Sequence, residues 1–422
     1  MRQGRAERNA EINNDTGKSS TRIVLLLVIV FILLAAAGAV AYMYKSTKDS
    51  ISLDFTDNDF SVEYGSRHAT ADYVADADGD VTPSKKILDT DSLGEKEVVY
   101  TVSKPILGGL LKPHGEYTLR YTVVDTQKPL VLWSGDGVIL QKGGKFNISD
   151  VIGYGDNADR ELDVKYKGKV NMEKAGKYPL RVTVTDDSGN KAEWALTVEV
   201  ADEIPSYEDD SEGTKFADFV KTYKGEGRSF GIDVSSWQDD IDFEAVKKAG
   251  CEFVIIRVGF STGDDEIATL DNTYKENIKK AQEAGLKVGA YMYSYDNSEE
   301  MVRKTAEWTI KQLDGVKLDL PVAFDWEDFG QFQTYNMNFS DLNRMYDVFS
   351  EELSKAGYDC ILYSSKNYLE DIWEDADKRP VWLAHYTDDT DYEGPYMIWQ
   401  ASNTGRIDGI KGPVDMDIMY EN

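Results

Sequence analysis

Apolar positions along this chain fall into three textures. From Ile23 to Tyr44 they run without a charge, far enough to cross ~30 Å of hydrocarbon as one helix. Between 50 and 202 they alternate with polar residues in short β-branched and aromatic runs, broken by Gly, Asp and Asn. That period of two is the pattern of half-buried antiparallel strands. From 229 onward, compact apolar runs alternate with amphipathic stretches. The runs begin at Phe230, Phe253, Lys287, Pro321, Cys360, Val381, Tyr396 and Val414. Three helical stretches, Asp242–Ala249, Thr273–Ala284 and Ser298–Leu313, lie between the first four.

These textures predict six segments. Residues 1–22 are a polar tail without structure, and 23–44 a transmembrane signal anchor. Two all-β immunoglobulin-like sandwich modules follow at 50–128 and 129–202. An acidic linker covers 203–228, with a short helix near Lys215–Lys224. Strand–helix alternation over 229–422 implies a parallel α/β, TIM-like (β/α) barrel whose last helices are incomplete. Within the β region, Gly115–Asp125 echoes Gly176–Asp186, and the second copy runs through Asp187-Ser-Gly-Asn, a turn, into Ala192–Val200. Such a strand closed by a "tDxsGN" turn resembles the bacterial immunoglobulin-like modules of surface proteins. Asp186-Asp187 is read as that hairpin turn, with a calcium ligand set as the alternative. The modules are read as spacers adding roughly 50–80 Å, with wall or partner binding as the alternative.

Charge sets the topology and narrows the partners. Arg2, Arg5, Arg8, Lys18 and Arg22 precede the apolar run, and only Lys45 and Lys48 follow closely. The excess of positive charge before the run places the N-terminus in the cytoplasm and the rest outside, as a single-pass membrane protein. A cleaved signal peptide is the rival reading, but the run exceeds the usual h-region of ~7–15 residues. Net charge of −29 excludes nucleic acid as a partner. Cys251 and Cys360 each precede an apolar strand and are expected as buried free thiols. His68, His114 and His385 are scattered, so neither a metal nor a cofactor is expected.

The chemistry concentrates at strand ends. Leu320–Phe324 is an apolar run that ends by presenting Asp325 and Glu327 on one face, about 7 Å apart at Cβ. Two such carboxylates repel and one must be raised, an arrangement suited to glycoside hydrolysis. Asp233 ends the first run, Arg257 the second, His385-Tyr386 the sixth, and Asp415 and Asp417 lie on the eighth. Tyr291, Tyr293 and Tyr295 share a face of the third. In a parallel barrel such ends form the active site.

Gly231-Ile-Asp-Val-Ser-Ser-Trp-Gln238, Pro321-Val-Ala-Phe-Asp-Trp-Glu327, Trp382-Leu-Ala-His-Tyr386, Ile398-Trp-Gln-Ala-Ser402 and Val414-Asp-Met-Asp417 resemble, in this order, glycoside hydrolase family 25. The resemblance covers residues 229–422. It implies a muramidase that cuts peptidoglycan between N-acetylmuramic acid and N-acetylglucosamine, with retention and participation of the substrate's acetamido group. Glu327 would be the general acid, Asp325 would orient the acetamido, and Asp233 and Asp415 would complete the acidic floor. A direct attack by Asp325 stays open. Tyr291, Tyr293, Tyr295, Arg257, Tyr363, Tyr386, Trp399 and Asp417 are candidates for holding sugar, and Trp237 for stacking on it. Trp326, pointing away from Asp325, is read as packing. His385 stands where the family commonly has Gln. The expected partner is the peptidoglycan glycan strand, and the expected role local wall remodelling at the membrane. The alternative is an inactive wall-binding or scaffold protein. No protein partner is indicated.

Overall fold

The computed structural model describes residues 3–135, 137–204, 213–263 and 268–421; the central part of the acidic linker, 205–212, lies outside them. The chain divides into two compact units, Met1–Val124 and Asp125–Asn422.

The first unit opens with helix α1 (Gln3–Ser50), so the polar stretch expected to lack structure is helical. It carries four arginines, which favour helix, and contains no proline. Within Thr21–Ser50 the most apolar 18-residue window has a mean hydropathy of 3.3, and none of that window is buried in the protein. Six strands follow: β1 (Leu53–Phe55), β2 (Phe60–Glu63), β3 (Val74–Ala77), β4 (Asp80–Pro83), β5 (Gly94–Ser103) and β6 (His114–Val124). β1 pairs with β3, and the other four form a sheet in the order β2-β6-β5-β4. Along β5 and β6 every second residue is buried (Val98, Tyr100, Val102; Leu119, Tyr121, Val123). The alternation seen in the sequence is one sheet face turned to the core.

The second unit begins with β7 (Leu130–Ser134), β8 (Ile139–Gln141), β9 (Ile152–Gly155), β10 (Asp163–Lys167), β11 (Gly176–Thr185) and β12 (Lys191–Ala201). Their pairing, β7 with β9 and a sheet β10-β11-β12-β8, repeats the order of the first unit strand for strand. Each copy has a parallel pair, β2–β6 and β8–β12, beside an antiparallel hairpin. The sequence echo at Gly115 and Gly176 therefore links β6 to β11, whereas the structural counterpart of β6 is β12. Alternating Val and Thr suits either strand of the hairpin, so the echo is one strand out of phase.

The remainder comprises β13 (Thr214–Lys215), α2 (Phe216–Tyr223), β14 (Arg228–Val234), α3 (Phe243–Lys248), β15 (Phe253–Ser261), β16 (Ala268–Leu270), α4 (Tyr274–Glu283), β17 (Lys287–Tyr293), α5 (Glu299–Leu313), β18 (Val322–Asp325), α6 (Phe339–Lys355), β19 (Cys360–Ser365), α7 (Lys366–Asp371), β20 (Val381–Ala384), β21 (Ile398–Arg406) and β22 (Val414–Tyr420). Strands β14, β15, β17, β18, β19, β20, β21 and β22 close into an eight-stranded barrel. Its neighbours are parallel except at β22, which is antiparallel to both β14 and β21. This corrects the fully parallel expectation. Only 407–413 separate β21 from β22, too short for a crossover that would return the chain in parallel. The last helices are indeed incomplete: α7 has six residues, and no α-helix is described after β20 or β21.

Inside this unit the β7–β12 module packs directly on the barrel. Gly153 and Gly155 of β9 let the segment after Glu327 approach: a Cβ on Gly155 would lie 2.6 Å from Phe339 and 2.7 Å from Phe332. Tyr368 Oη donates to Leu132 O at 2.9 Å, and Arg160 forms a fork with Asp341 at 2.7 and 2.8 Å. A free spacer would have no such interface. Cys251 and Cys360 are both buried free thiols, as expected.

Candidate active site

Each parallel strand delivers its C-terminal end to one mouth, and β22, running backwards, delivers its N-terminal end there. The register places Asp233 opposite Asp415, Tyr293 opposite Asp325, and Asp325 opposite Tyr363. These residues line a cleft of about 350 Å³ together with Arg257, Tyr291, Glu327, Gln400, Tyr386 and Trp237. All four acids expected to do chemistry meet there.

Their electrostatics follow from crowding. Asp325 is 4 % exposed with Oδ1 lacking a hydrogen-bond partner. Burial raises its carboxyl well above the ordinary range, and the neighbouring Glu327 raises it further. Glu327 stands at the mouth, where solvent reaches it, yet the protein around it still raises its carboxyl. Asp233 is also raised well above its ordinary value, by burial, then by Asp415 and Asp417. Asp415 is pushed up to about 6 by burial and then by Glu327. Carboxyls packed this closely cannot all ionise at neutral pH, so the mouth holds protons ready for transfer.

Gln400 is the residue that sequence reasoning missed. Its Nε2 donates to Asp233 at 2.7 Å, and its Oε1 accepts from Tyr363 Oη at 2.9 Å and Tyr386 Oη at 2.8 Å. One buried amide thus ties β14, β19 and the loop after β20 together. The available signal was a polar residue between apolar neighbours in Ile398-Trp-Gln-Ala. Alternation along β21 puts Gln400 inside the barrel and turns Trp399 outward, where it is 3 % exposed, donates to His385 O and packs edge-on against Tyr223. Trp399 is therefore a packing residue rather than a sugar platform.

Asp417 also departs from expectation. It is 0 % exposed, lies outside the cleft and accepts from Trp382 Nε1 at 2.9 Å. Tyr295 lies past the end of β17 and lines a neighbouring aromatic hollow of about 530 Å³ with Trp237, Phe260 and Tyr293. Tyr291 and Tyr293 do face the cleft. Arg257 lines it too, but its guanidinium is held by Asp271 at 2.8 Å and by Ser236. Burial pushes Asp271 up, and hydrogen bonds from Thr273 and Ser236 with the charge of Arg257 outweigh it, leaving the carboxyl below its usual range. Trp326 is fully buried, donating to Asp296 O, as its packing role required. His385 turns to Thr390 instead of the cleft.

Residues 232–410 match the model of the Glycosyl hydrolases family 25, and residues 132–200 that of the Bacterial surface protein, Ig-like domain. The autolytic lysozyme of Clostridium acetobutylicum is 30% identical over 193 residues, covering 45% of this chain and 56% of that protein, little more than half its length. Lysozyme M1 of Streptomyces globisporus is 27% identical over 198 residues, covering 44% of this chain and 65% of its own. A family 25 glycosyl hydrolase structure from Bacillus anthracis superposes with a TM-score of 0.40 at 25% identity, covering 46% of this chain and 89% of that one.

Proposed function

From a chain that carries a family 25 glycosyl hydrolase domain and a bacterial surface Ig-like domain, we propose a membrane-anchored peptidoglycan hydrolase. It would cleave the β-1,4 bond between N-acetylmuramic acid and N-acetylglucosamine. The observation that carries this reading is the pair Asp325 and Glu327: one buried, one solvent-accessible, both raised, at the floor and edge of a cleft.

The pair shares a proton because double ionisation is disfavoured. With that proton on Glu327, the carboxyl protonates the glycosidic oxygen as the bond to the anomeric carbon breaks. The substrate's acetamido oxygen attacks that carbon from the other face and forms an oxazolinium. Asp325, ionised once the proton sits on Glu327, accepts from the acetamido N–H and stabilises the positive ring. Water then opens the ring, giving its proton to Glu327, and the configuration is retained. Tyr293, opposite Asp325 in register, would hydrogen-bond the acetamido. Asp233, fixed by Gln400, and Asp415 would hold sugar hydroxyls. Trp237, 83 % exposed, would stack on a sugar ring.

The helix Thr21–Ser50 would serve as the anchor, with the N-terminus cytoplasmic and the barrel in the wall layer. The strand order that β1–β6 share with β7–β12 supports reading residues 50–128 as a first Ig-like module beside 129–202. The barrel would then occupy 229–422 behind the 203–228 linker, and the task would be local remodelling of the wall.

Digestion of purified peptidoglycan by the full chain, beside Glu327→Gln, tests the proposal. Reducing-end N-acetylmuramic acid, identified by mass spectrometry and absent from the variant, is the expected result. Reducing N-acetylglucosamine would move the cut to the other bond. Binding to the wall without products would make the protein a wall-binding scaffold.

A further inference from the structure

Away from the barrel mouth, the β7–β12 module gathers acids that no step above uses. One carboxylate oxygen from each of Asp125, Asp159 and Asp186 lies within 4.8 Å of the others. Oxygens sharing one calcium ion at 2.3–2.6 Å are at most about 5 Å apart, so a single ion can touch all three. Asp125 is 8 % exposed and Asp186 6 % exposed. Asp156, fully buried, lies on the same loop as Asp159 and accepts from its backbone N–H.

Backbone amides hold these side chains by one oxygen and leave the other. Asp186 Oδ1 accepts from Asn190 N at 2.7 Å, Asp156 Oδ1 from Ala158 N and Asp159 N at 2.8 and 2.9 Å, and Asp159 Oδ2 from Asp187 N at 2.8 Å. Asp186 Oδ2 and Asp156 Oδ2 are buried with no hydrogen-bond partner among the described residues. An isolated buried carboxylate oxygen is costly unless something positive meets it.

We propose that Asp125, Asp159 and Asp186 form a calcium site in the second module, with the buried Asp156 beside it. The donors are all oxygens, which selects a hard cation, and they come from three separate segments, which suits calcium's flexible six-to-eightfold shell better than the strict octahedron of magnesium. Asp187, paired with Asp186 in the sequence as the alternative to a plain turn, supplies only its backbone N–H; Asp125 and Asp159 are the distant partners. The site reaches the barrel through its own loop. Asp156 O accepts from Phe339 N at 2.8 Å, Ala158 O from Asn338 Nδ2 at 2.7 Å, and Arg160 grips Asp341, all at the start of α6. An ion there would stiffen the loop that seats the barrel on the module.

The test is a calcium titration of the full chain in detergent, by calorimetry and by thermal unfolding, after removal of metal with EDTA. The wild type should bind calcium and melt several degrees higher with it. Asp186→Asn should lose that shift while melting in EDTA no lower than the wild type, because it removes a repelling charge. Asp159→Asn, whose carboxylate lies partly at the surface, provides a variant expected to fold and should lose one bound calcium. An unchanged wild-type melting temperature, a shift or stoichiometry retained in the variants, or a response to magnesium alone would overturn the assignment.

Discussion

Gly153 gives the sharpest test of the interface between module and barrel. It lies on β9, and a Cβ placed there would sit 2.5 Å from Phe329 O, 2.8 Å from Gly330 O and 2.9 Å from Gly330 Cα. All three are backbone atoms and cannot rotate aside, so Gly153→Ala must push β9 and the segment Phe329–Thr334 apart. Overpacking a fitted contact costs about 1–3 kcal/mol. At ~2–4 °C per kcal/mol for a domain of this size, melting should fall by roughly 2–12 °C. The consequence for turnover is local. Phe329 N donates to Glu327 O at 2.7 Å, so the displaced segment begins at the proposed acid. Calorimetry of the full chain should show the lower transition, and peptidoglycan digestion should slow several-fold while the protein stays folded. Gly412→Ala, with nothing within 4 Å of its Cβ, is the matched control and should change neither. A Gly153→Ala protein that melts and turns over like the wild type would refute the reasoning that this contact is tight and that it braces the acid.

Three further outcomes follow from the same geometry. Gln400→Leu should cut turnover by at least tenfold, because it strips Asp233, Tyr363 and Tyr386 of their shared partner while β21 keeps its packing; wild-type rates would exclude a positioning role. Melting temperature at fixed calcium should fall as pH rises from 5 to 7.5. Asp233, Asp325, Asp415 and Asp417 are all raised in the folded state, Asp415 to about 6, so folded protein holds protons that unfolded chains release near pH 4. Their contribution is whole below that pH and lost as pH climbs through the folded values; Asp417→Asn should flatten the slope, and a melting temperature that rises with pH would contradict the raised carboxyls. Cys251 and Cys360, each buried with its thiol pushed up to about 12, should resist iodoacetamide in the native protein and both react in denaturant, as mass spectrometry would show.

Much of the barrel is legible because buried strands write continuous apolar runs, and a polar residue inside one stands out. Asp233, Asp325 and Asp415 are visible for that reason, and the register brings them together. What fails are inferences that need the third dimension. Trp399 draws the eye ahead of Gln400 because an indole suggests a sugar platform, yet a one-residue step along a strand decides which of the two sees the lumen. Asp417 looks equivalent to Asp415, but two residues deeper along β22 means below the cleft floor. The reversal of β22 is present in the brevity of 407–413, and a count of strands alone conceals it. Helix α6 is absent from the expected helices although its N-cap is well marked by Asn338 and Asp341, which cap each other's backbone amides.

The module's role is ambiguous in sequence for a related reason. Gly, Asp and Asn between short strands look like turns, and a turn-rich module before an acidic linker looks like a spacer. In the structure two of those glycines, Gly153 and Gly155, are contact surfaces, and the Asp156–Arg160 loop is both part of the proposed cation site and the seat of α6. Small residues and acids are ambiguous in one dimension, because a turn, a close approach and a ligand set draw on the same alphabet. The geometry separates the three. A turn glycine such as Gly189 has a φ of +93° and open space around it, whereas Gly153 and Gly155 have ordinary backbone angles and no room for a Cβ. The second pair exists for the barrel, so removing the module should expose Phe332 and Phe339 and loosen the segment that follows Glu327. The proposed catalytic unit would then be the module and barrel together.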